Sequence, residues 1–197
     1  LTESLLCPEP HGSESHCVIV PEETVGRDVR RGVVGCPTCE REYPVVDGVV
    51  TFGPDPWGAG LPEPGDASAS PDADTLHALL GLTTPGGYVV LLGSAARFAE
   101  SLAQRLSGVH LVGVNAPPGI GAGSRLSLLR SPARLPLRTG MARGVVVGEE
   151  HCTDSWLKES ARVLLRKLRL IALTEKAAIP GVQRLVSRSD LWVGERE

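Results

Sequence analysis

The chain has 197 residues, 42% hydrophobic and 22% charged, enough for one ordinary domain or a small module followed by a modest one. That apolar content excludes disorder along the whole chain, and the lack of any apolar run of about 18 residues predicts no membrane span. Aromatic residues make up 4%, which excludes stacked-ring platforms for single-stranded nucleic acid.

The net charge of −3 is unevenly spread. Residues 1–53 carry 4 basic and 9 acidic side chains, residues 54–74 no basic and 5 acidic ones, and residues 75–197 carry 16 basic and 9 acidic ones. Such a split predicts two units with different partners, or two units that attract each other. Leu1 to Leu6 is short and acidic and does not read as a secretory leader. In the first segment, Val18–Val20 and Gly32–Val34 are short β-like runs flanking a polar turn over residues 21–31. Tyr43 to Val50 reads as a strand, an Asp47-Gly48 turn and another strand. So small a β-rich module buries little core and needs a staple.

Residues 54–73 hold five prolines and three glycines and are expected to form an extended linker, with Trp57 as a surface anchor. The remainder, residues 74–197, alternates strands and helices. Asp74 is the expected cap of a helix through Leu82; Gly87–Leu92 is a buried strand, followed by Gly93-Ser94-Ala95-Ala96 and an amphipathic helix to about Leu106. Val109–Val114, Arg125–Leu129 and Gly144–Val147 are further strands, with a Gly/Pro loop over 117–123. A helix over 155–165 precedes the apolar run Leu170–Leu173, and Val182–Val186 with Leu191–Glu195 closes as a hairpin. This order predicts an α/β layer with a largely parallel sheet.

Four of the five cysteines, Cys7, Cys17, Cys36 and Cys39, lie in the first 40 residues, and Cys152 stands alone. Clustering around Cys36-Pro37-Thr38-Cys39 predicts thiolate ligands of a structural zinc ion in a reducing compartment, so the expected location is cytoplasmic. Cys7-Pro8 repeats the opening of that knuckle and supplies a third ligand. Cys17 is favoured as the fourth because four thiolates suit a closed site, with His11 and His16 as alternatives.

Leu6-Cys7-Pro8, together with the run Gly35-Cys36-Pro37-Thr38-Cys39 through Tyr43-Pro44-Val45-Val46-Asp47-Gly48-Val49, resembles the small zinc-ribbon family that activates tRNA, rRNA and release-factor methyltransferases. The resemblance covers about residues 5–53. It departs at Pro10, where the family's first knuckle has its second cysteine, so that knuckle must expand to Cys17 or recruit a histidine.

Residues 74–197 resemble the class I S-adenosylmethionine-dependent methyltransferases. Tyr88-Val89-Val90-Leu91-Leu92-Gly93 matches the first strand and its glycine turn, and Leu111-Val112-Gly113-Val114-Asn115 the second strand and its terminal residue. Arg130 to Leu137 and Arg162-Val163-Leu164-Leu165 match two later segments. The resemblance implies a Rossmann-like fold, shortened here, and places the cofactor pocket at Gly93, Ser94, Asn115 and Ser131. The chemistry of those positions departs from the family. Ser94-Ala95-Ala96-Arg97 lacks the later glycines, Asn115 stands in place of the ribose-binding carboxylate, and Ser131 in place of the adenine-facing acid. Arg166-Lys167-Leu168 replaces the family's Pro-Gly-Gly turn.

The reading that follows is a zinc ribbon fused to a methyltransferase-like domain that has lost its cofactor. It would act as a non-catalytic accessory or structural subunit through protein contacts, with the ribbon docked on its own neighbour or on a partner. The alternatives are a divergent methyltransferase, perhaps acting on RNA, and a zinc-ribbon adaptor that binds nucleic acid. His151 beside Cys152 was weighed as a nucleophile pair and set below an ordinary loop thiol. Lys158, Arg162, Arg166 and Arg169 approximate a basic helical stripe, although the family resemblance puts Arg169 in a strand.

Overall fold

The computed structural model describes residues 1–54 and 71–197. Most of the expected linker, including Trp57, lies outside the described residues.

The amino-terminal module is built from β1 (Val18–Val25), β2 (Asp28–Gly35), β3 (Glu42–Val46) and β4 (Val49–Thr51). The polar stretch 21–31, expected as a turn, instead extends both strands into a long hairpin that reverses around Gly26. Pro21 is tolerated because β1 is an edge strand, where a missing N–H breaks no ladder. The Asp47-Gly48 turn forms as expected. Both residues have positive φ, 52° and 79°, which a two-residue hairpin turn of this twist requires.

The second part contains α1 (Ala73–Leu80), β5 (Tyr88–Leu92), α2 (Ala99–Arg105), β6 (His110–Val114), β7 (Leu126–Arg130), β8 (Ala142–Val147), α3 (Asp154–Val163), β9 (Leu164–Ala172), β10 (Val182–Arg188) and β11 (Leu191–Arg196). The cap of α1 is Asp72 rather than Asp74, its side chain accepting from the Thr75 amide at 2.7 Å. After β5 the chain makes a tight 3-10 turn over Gly93–Phe98 before α2 begins. Helix α3 runs straight into β9, so Arg166 and Arg169 lie on a strand and the basic helical stripe does not form.

The described strands join in one 11-stranded sheet ordered β1-β2-β3-β4-β7-β6-β5-β8-β9-β11-β10. From β4 to β9 every pairing is parallel; antiparallel hairpins extend the sheet on both sides. The fold is α/β with a mostly parallel central sheet, and its inner order is that of a doubly wound Rossmann-like sheet. Helices α1 and α2 cover one face through Leu76, Leu80, Ala99 and Leu102. The other face is covered by α3 and by the amino-terminal module, whose Val34, Tyr43, Val45, Val50 and Phe52 share a core with Val112, Val114 and Leu129. Strand β4 pairs in parallel with β7, Val50 opposite Leu129, so the two parts are continuous through backbone as well as through side chains. Their opposite charges also meet: Glu14 accepts from the Thr139 amide and hydroxyl and lies 3.7 Å from Arg162.

Candidate metal centre and the crevice at the carboxyl end of the sheet

Residues 36–41 fold into a tight knuckle in which the Glu40 amide donates to the Cys36 carbonyl and the Cys36 amide to the Arg41 carbonyl, each at 2.9 Å. Glu40 adopts φ 59°, which turns the chain so that both cysteines face inward. A second segment brings Cys7 to the same place. Leu5–Cys7 and Ser15–Cys17 form a short antiparallel ladder, with Leu6 opposite His16 and the Cys7 amide donating to Ser15 at 2.9 Å.

That register determines which side chain comes near Cys7, Cys36 and Cys39. It sets Ser15 opposite Cys7 and Cys17 opposite Leu5, two residues along the ladder, while the loop between returns His11. The ligand atoms of Cys7, His11, Cys36 and Cys39 all lie within 4.8 Å of one another. Cys17, favoured from the sequence, is outside this group, and His16 is exposed on the ladder's outer side. Cys17 is buried, and desolvation with the nearby Cys7, Cys36 and Cys39 thiols pushes it up to about 12.

The geometry fits zinc. Bonds of about 2.3 Å to sulfur and about 2.0–2.1 Å to nitrogen give tetrahedral edges of about 3.8 Å between sulfurs and about 3.5 Å between sulfur and nitrogen. The Cys7 and Cys39 sulfurs are 3.8 Å apart, and Cys36 Sγ is 3.5 Å from His11 Nε2. Supporting contacts come from the Tyr43 hydroxyl, 3.3 Å from Cys7 Sγ, and from the Ser15 hydroxyl, 3.3 Å from Cys36 Sγ. Burial would raise the Cys36 thiol, but the Ser15 hydroxyl and the amides of Cys39 and Thr38 bring it down to about 6. Three thiols and one imidazole are a closed structural donor set, so the site suits folding rather than chemistry.

In a doubly wound sheet the ligand crevice opens at the carboxyl ends of the strands where the order reverses. Here that point lies between β5 and β8, flanked by Gly93-Ser94 and by residues 148–152. The space is filled by the chain itself. A Cβ on Gly93 would stand 2.0 Å from Glu150 Oε1 and 2.4 Å from His151 Nδ1. Glu150, its side chain 6% exposed, accepts from the Ser94 amide at 2.5 Å and the Ser94 hydroxyl at 2.7 Å. His151 Nδ1 donates to Glu150 Oε1 at 3.1 Å, leaving Nε2 to accept from Asn115 Nδ2 at 3.4 Å. Asn115, at φ 54°, donates to the Ser131 carbonyl at 2.8 Å and accepts from the Ser131 amide at 2.9 Å.

The four expected pocket residues Gly93, Ser94, Asn115 and Ser131 are thus brought together, joined by two that the pocket assignment omitted, Glu150 and His151. Burial acts to raise the Glu150 carboxyl, yet the hydrogen bonds from His151 and from Ser94 hold it below the usual carboxylate range. The Ser131 hydroxyl has no partner among the described residues. Arg97 turns back on its own loop, donating to the Ser94 carbonyl at 3.0 Å. Cys152 is not paired with His151. It donates to the Gly148 carbonyl at 3.3 Å, and burial beside Glu150 and Glu149 pushes it up to about 12, the opposite of an activated nucleophile. The signal for Glu150 was available in the sequence, as two acidic residues directly after a buried strand.

No family model and no curated protein matches the chain. Among solved structures, a chain from the complex between the Haloferax volcanii Trm112 methyltransferase activator and a methyltransferase is 21% identical over 51% of this chain and 50% of that one, with a TM-score of 0.41. The antibiotic-resistance methyltransferase Kmr is 14% identical over 68% of this chain and 97% of that one, at 0.44. A SAM-dependent methyltransferase from Aquifex aeolicus is 12% identical over 64% and 88%, at 0.46. The chain spans about half the length of the first of these. No helix among the described residues is long and apolar enough to cross a membrane.

Proposed function

We propose that this protein is a non-catalytic, methyltransferase-like accessory subunit, stabilised by zinc at Cys7, His11, Cys36 and Cys39, that acts through protein contacts. The observation that carries this reading is the Glu150–His151 pair buried in the crevice where a doubly wound sheet otherwise receives its ligand. S-adenosylmethionine does not fit these residues. The Ser94 amide and hydroxyl are already bonded to a carboxylate, so an incoming ligand carboxylate meets a like charge instead of donors. Asn115 spends its amide on the Ser131 backbone and His151, and offers no carboxylate for two ribose hydroxyls. Losing two charge-assisted hydrogen bonds, at about 1.5–3 kcal/mol each, weakens a micromolar ligand to about millimolar or worse. A closed zinc site adds no catalytic position, and with the ribbon docked in cis the sheet keeps its stability without a ligand.

The rival enzymatic reading draws on the orphaned Ser131 hydroxyl, which a bound group would satisfy. The nucleic-acid reading loses its motive, because Arg166 and Arg169 are off the helix and Arg169 donates to the Leu79 carbonyl. Isothermal titration of the zinc-loaded chain with S-adenosylmethionine separates the first two readings. No heat of binding at millimolar ligand is expected, and a micromolar isotherm would restore the enzyme.

A further inference from the structure

A second cavity lies away from the crevice, at the amino ends of β5, β6 and β7, where the β1–β2 hairpin curls over the sheet. It has a volume of about 530 Å³, within the range of about 300–1,000 Å³ typical of small-molecule sites. Its walls are of two kinds. Its apolar lining includes Ile19, Val45 and Val50 from the ribbon and Leu129 from β7. Nearer the strand starts, Tyr88, His110 and Ser127 form a polar row, one from each of three adjacent parallel strands. All three are half-buried. His110 Nε2 is 2.9 Å from Ser127 Oγ, and the Tyr88 ring packs edge-on against His110 at 5.9 Å. Burial lowers His110, which keeps the imidazole neutral near pH 7. Arg27 and Arg30 line the hairpin side together with Asp28.

The Ser127–His110 contact is not a hydrolytic centre. Ser127 sits within β7, between β6 and the β4 turn, so the amides around it serve the sheet rather than an oxyanion. What the cavity offers is apolar walls together with hydrogen-bond donors. We propose that it is a binding site for an amphipathic anion: the apolar body lies against Val45, Val50 and Leu129, and a carboxylate accepts from Tyr88 and from the Arg27 and Arg30 guanidiniums. The zinc ribbon forms one wall, so the site exists only when the ribbon is docked. It is independent of whether the crevice binds S-adenosylmethionine.

Decanoate is a suitable probe, with decanol as its uncharged counterpart, each titrated calorimetrically into the zinc-loaded full chain. Saturable binding of one decanoate per chain is expected. Arg27→Glu, on the exposed hairpin, and Tyr88→Phe, which keeps the ring, each weaken decanoate by about fivefold or more. Arg27→Glu leaves decanol within about twofold of the parent. The proposal is overturned if the parent chain shows no saturable decanoate binding up to about 1 mM, or if both variants bind decanoate as the parent does.

Discussion

Removing the Glu150 carboxylate should destabilise the protein far more than its place in a short loop suggests. Glu150→Ala strips the acceptor from the Ser94 amide at 2.5 Å, the Ser94 hydroxyl at 2.7 Å and His151 Nδ1 at 3.1 Å, around a side chain 6% exposed. Each buried donor left unmet costs about 1–3 kcal/mol, though the serine hydroxyl can rotate to recover part of its share. Relief of the buried carboxylate's own desolvation offsets some of the rest, so the net loss is about 3 kcal/mol, the lower end for breaking a buried charged contact. In a chain of this size that lowers Tm by about 6–12 °C. Glu150→Gln keeps the shape: its carbonyl oxygen replaces Oε1 for Ser94 and His151, and its amide donates to the Ser94 hydroxyl. It should cost only about 1 kcal/mol. Thermal and urea unfolding of the three zinc-loaded proteins measures both values. An alanine variant within about 0.5 kcal/mol of the parent, or a glutamine variant as unstable as alanine, would refute the reasoning.

Acid should narrow the difference between the parent and Glu150→Gln. The Glu150 carboxyl is held below its unfolded value, so its contribution is present above about pH 4.3 and declines as pH falls toward the folded value; urea unfolding of both proteins in steps downward from pH 7 checks that the difference narrows. His11→Ala should lower bound zinc in elemental analysis under competing chelator, whereas Cys17→Ser should retain one ion per chain; the reverse pattern would return the fourth position to Cys17. Chelation of the parent should unfold the ribbon, read as lost β-sheet circular dichroism. Arg162→Ala should cost about 2–3 kcal/mol in urea unfolding, because this guanidinium binds Glu159 and the carbonyls of Leu135 and Leu137.

The parts of this protein that were legible in its sequence are those fixed by local rules. Short continuous apolar runs such as Val89–Leu92 and Val145–Val147 announced the buried parallel strands, and Asp47-Gly48 announced the β3–β4 turn because both positions need positive φ. Cys36-x-x-Cys39 announced a knuckle because two thiols at that spacing converge whatever the surroundings. The choice between Cys17 and His11 was of another kind. It depends on which residue stands opposite Cys7 across the loop of residues 8–14, and only a register shifted by two residues would put Cys17 there in place of Ser15. The long β1–β2 hairpin was hidden by Pro21 and by polar side chains that an edge strand accepts. That residues 94–97 hold no glycine and that Asn115 is neutral could be read directly. What occupies the space beside Gly93 could not, since Glu150 reaches Ser94 across 56 positions of sequence. Within residues 148–152 the cysteine and histidine are the chemically conspicuous side chains, yet the central contact belongs to the neighbouring carboxylate.

The central claim is that the crevice between β5 and β8 is closed by the chain's own Glu150 and His151. The most direct test is a crystal structure of the zinc-loaded protein grown with millimolar S-adenosylmethionine. The account predicts the Glu150 carboxylate on the Ser94 amide, His151 on Asn115 and no cofactor density beside Gly93. Density for the cofactor at Gly93, with Glu150 swung out of the crevice, would contradict it.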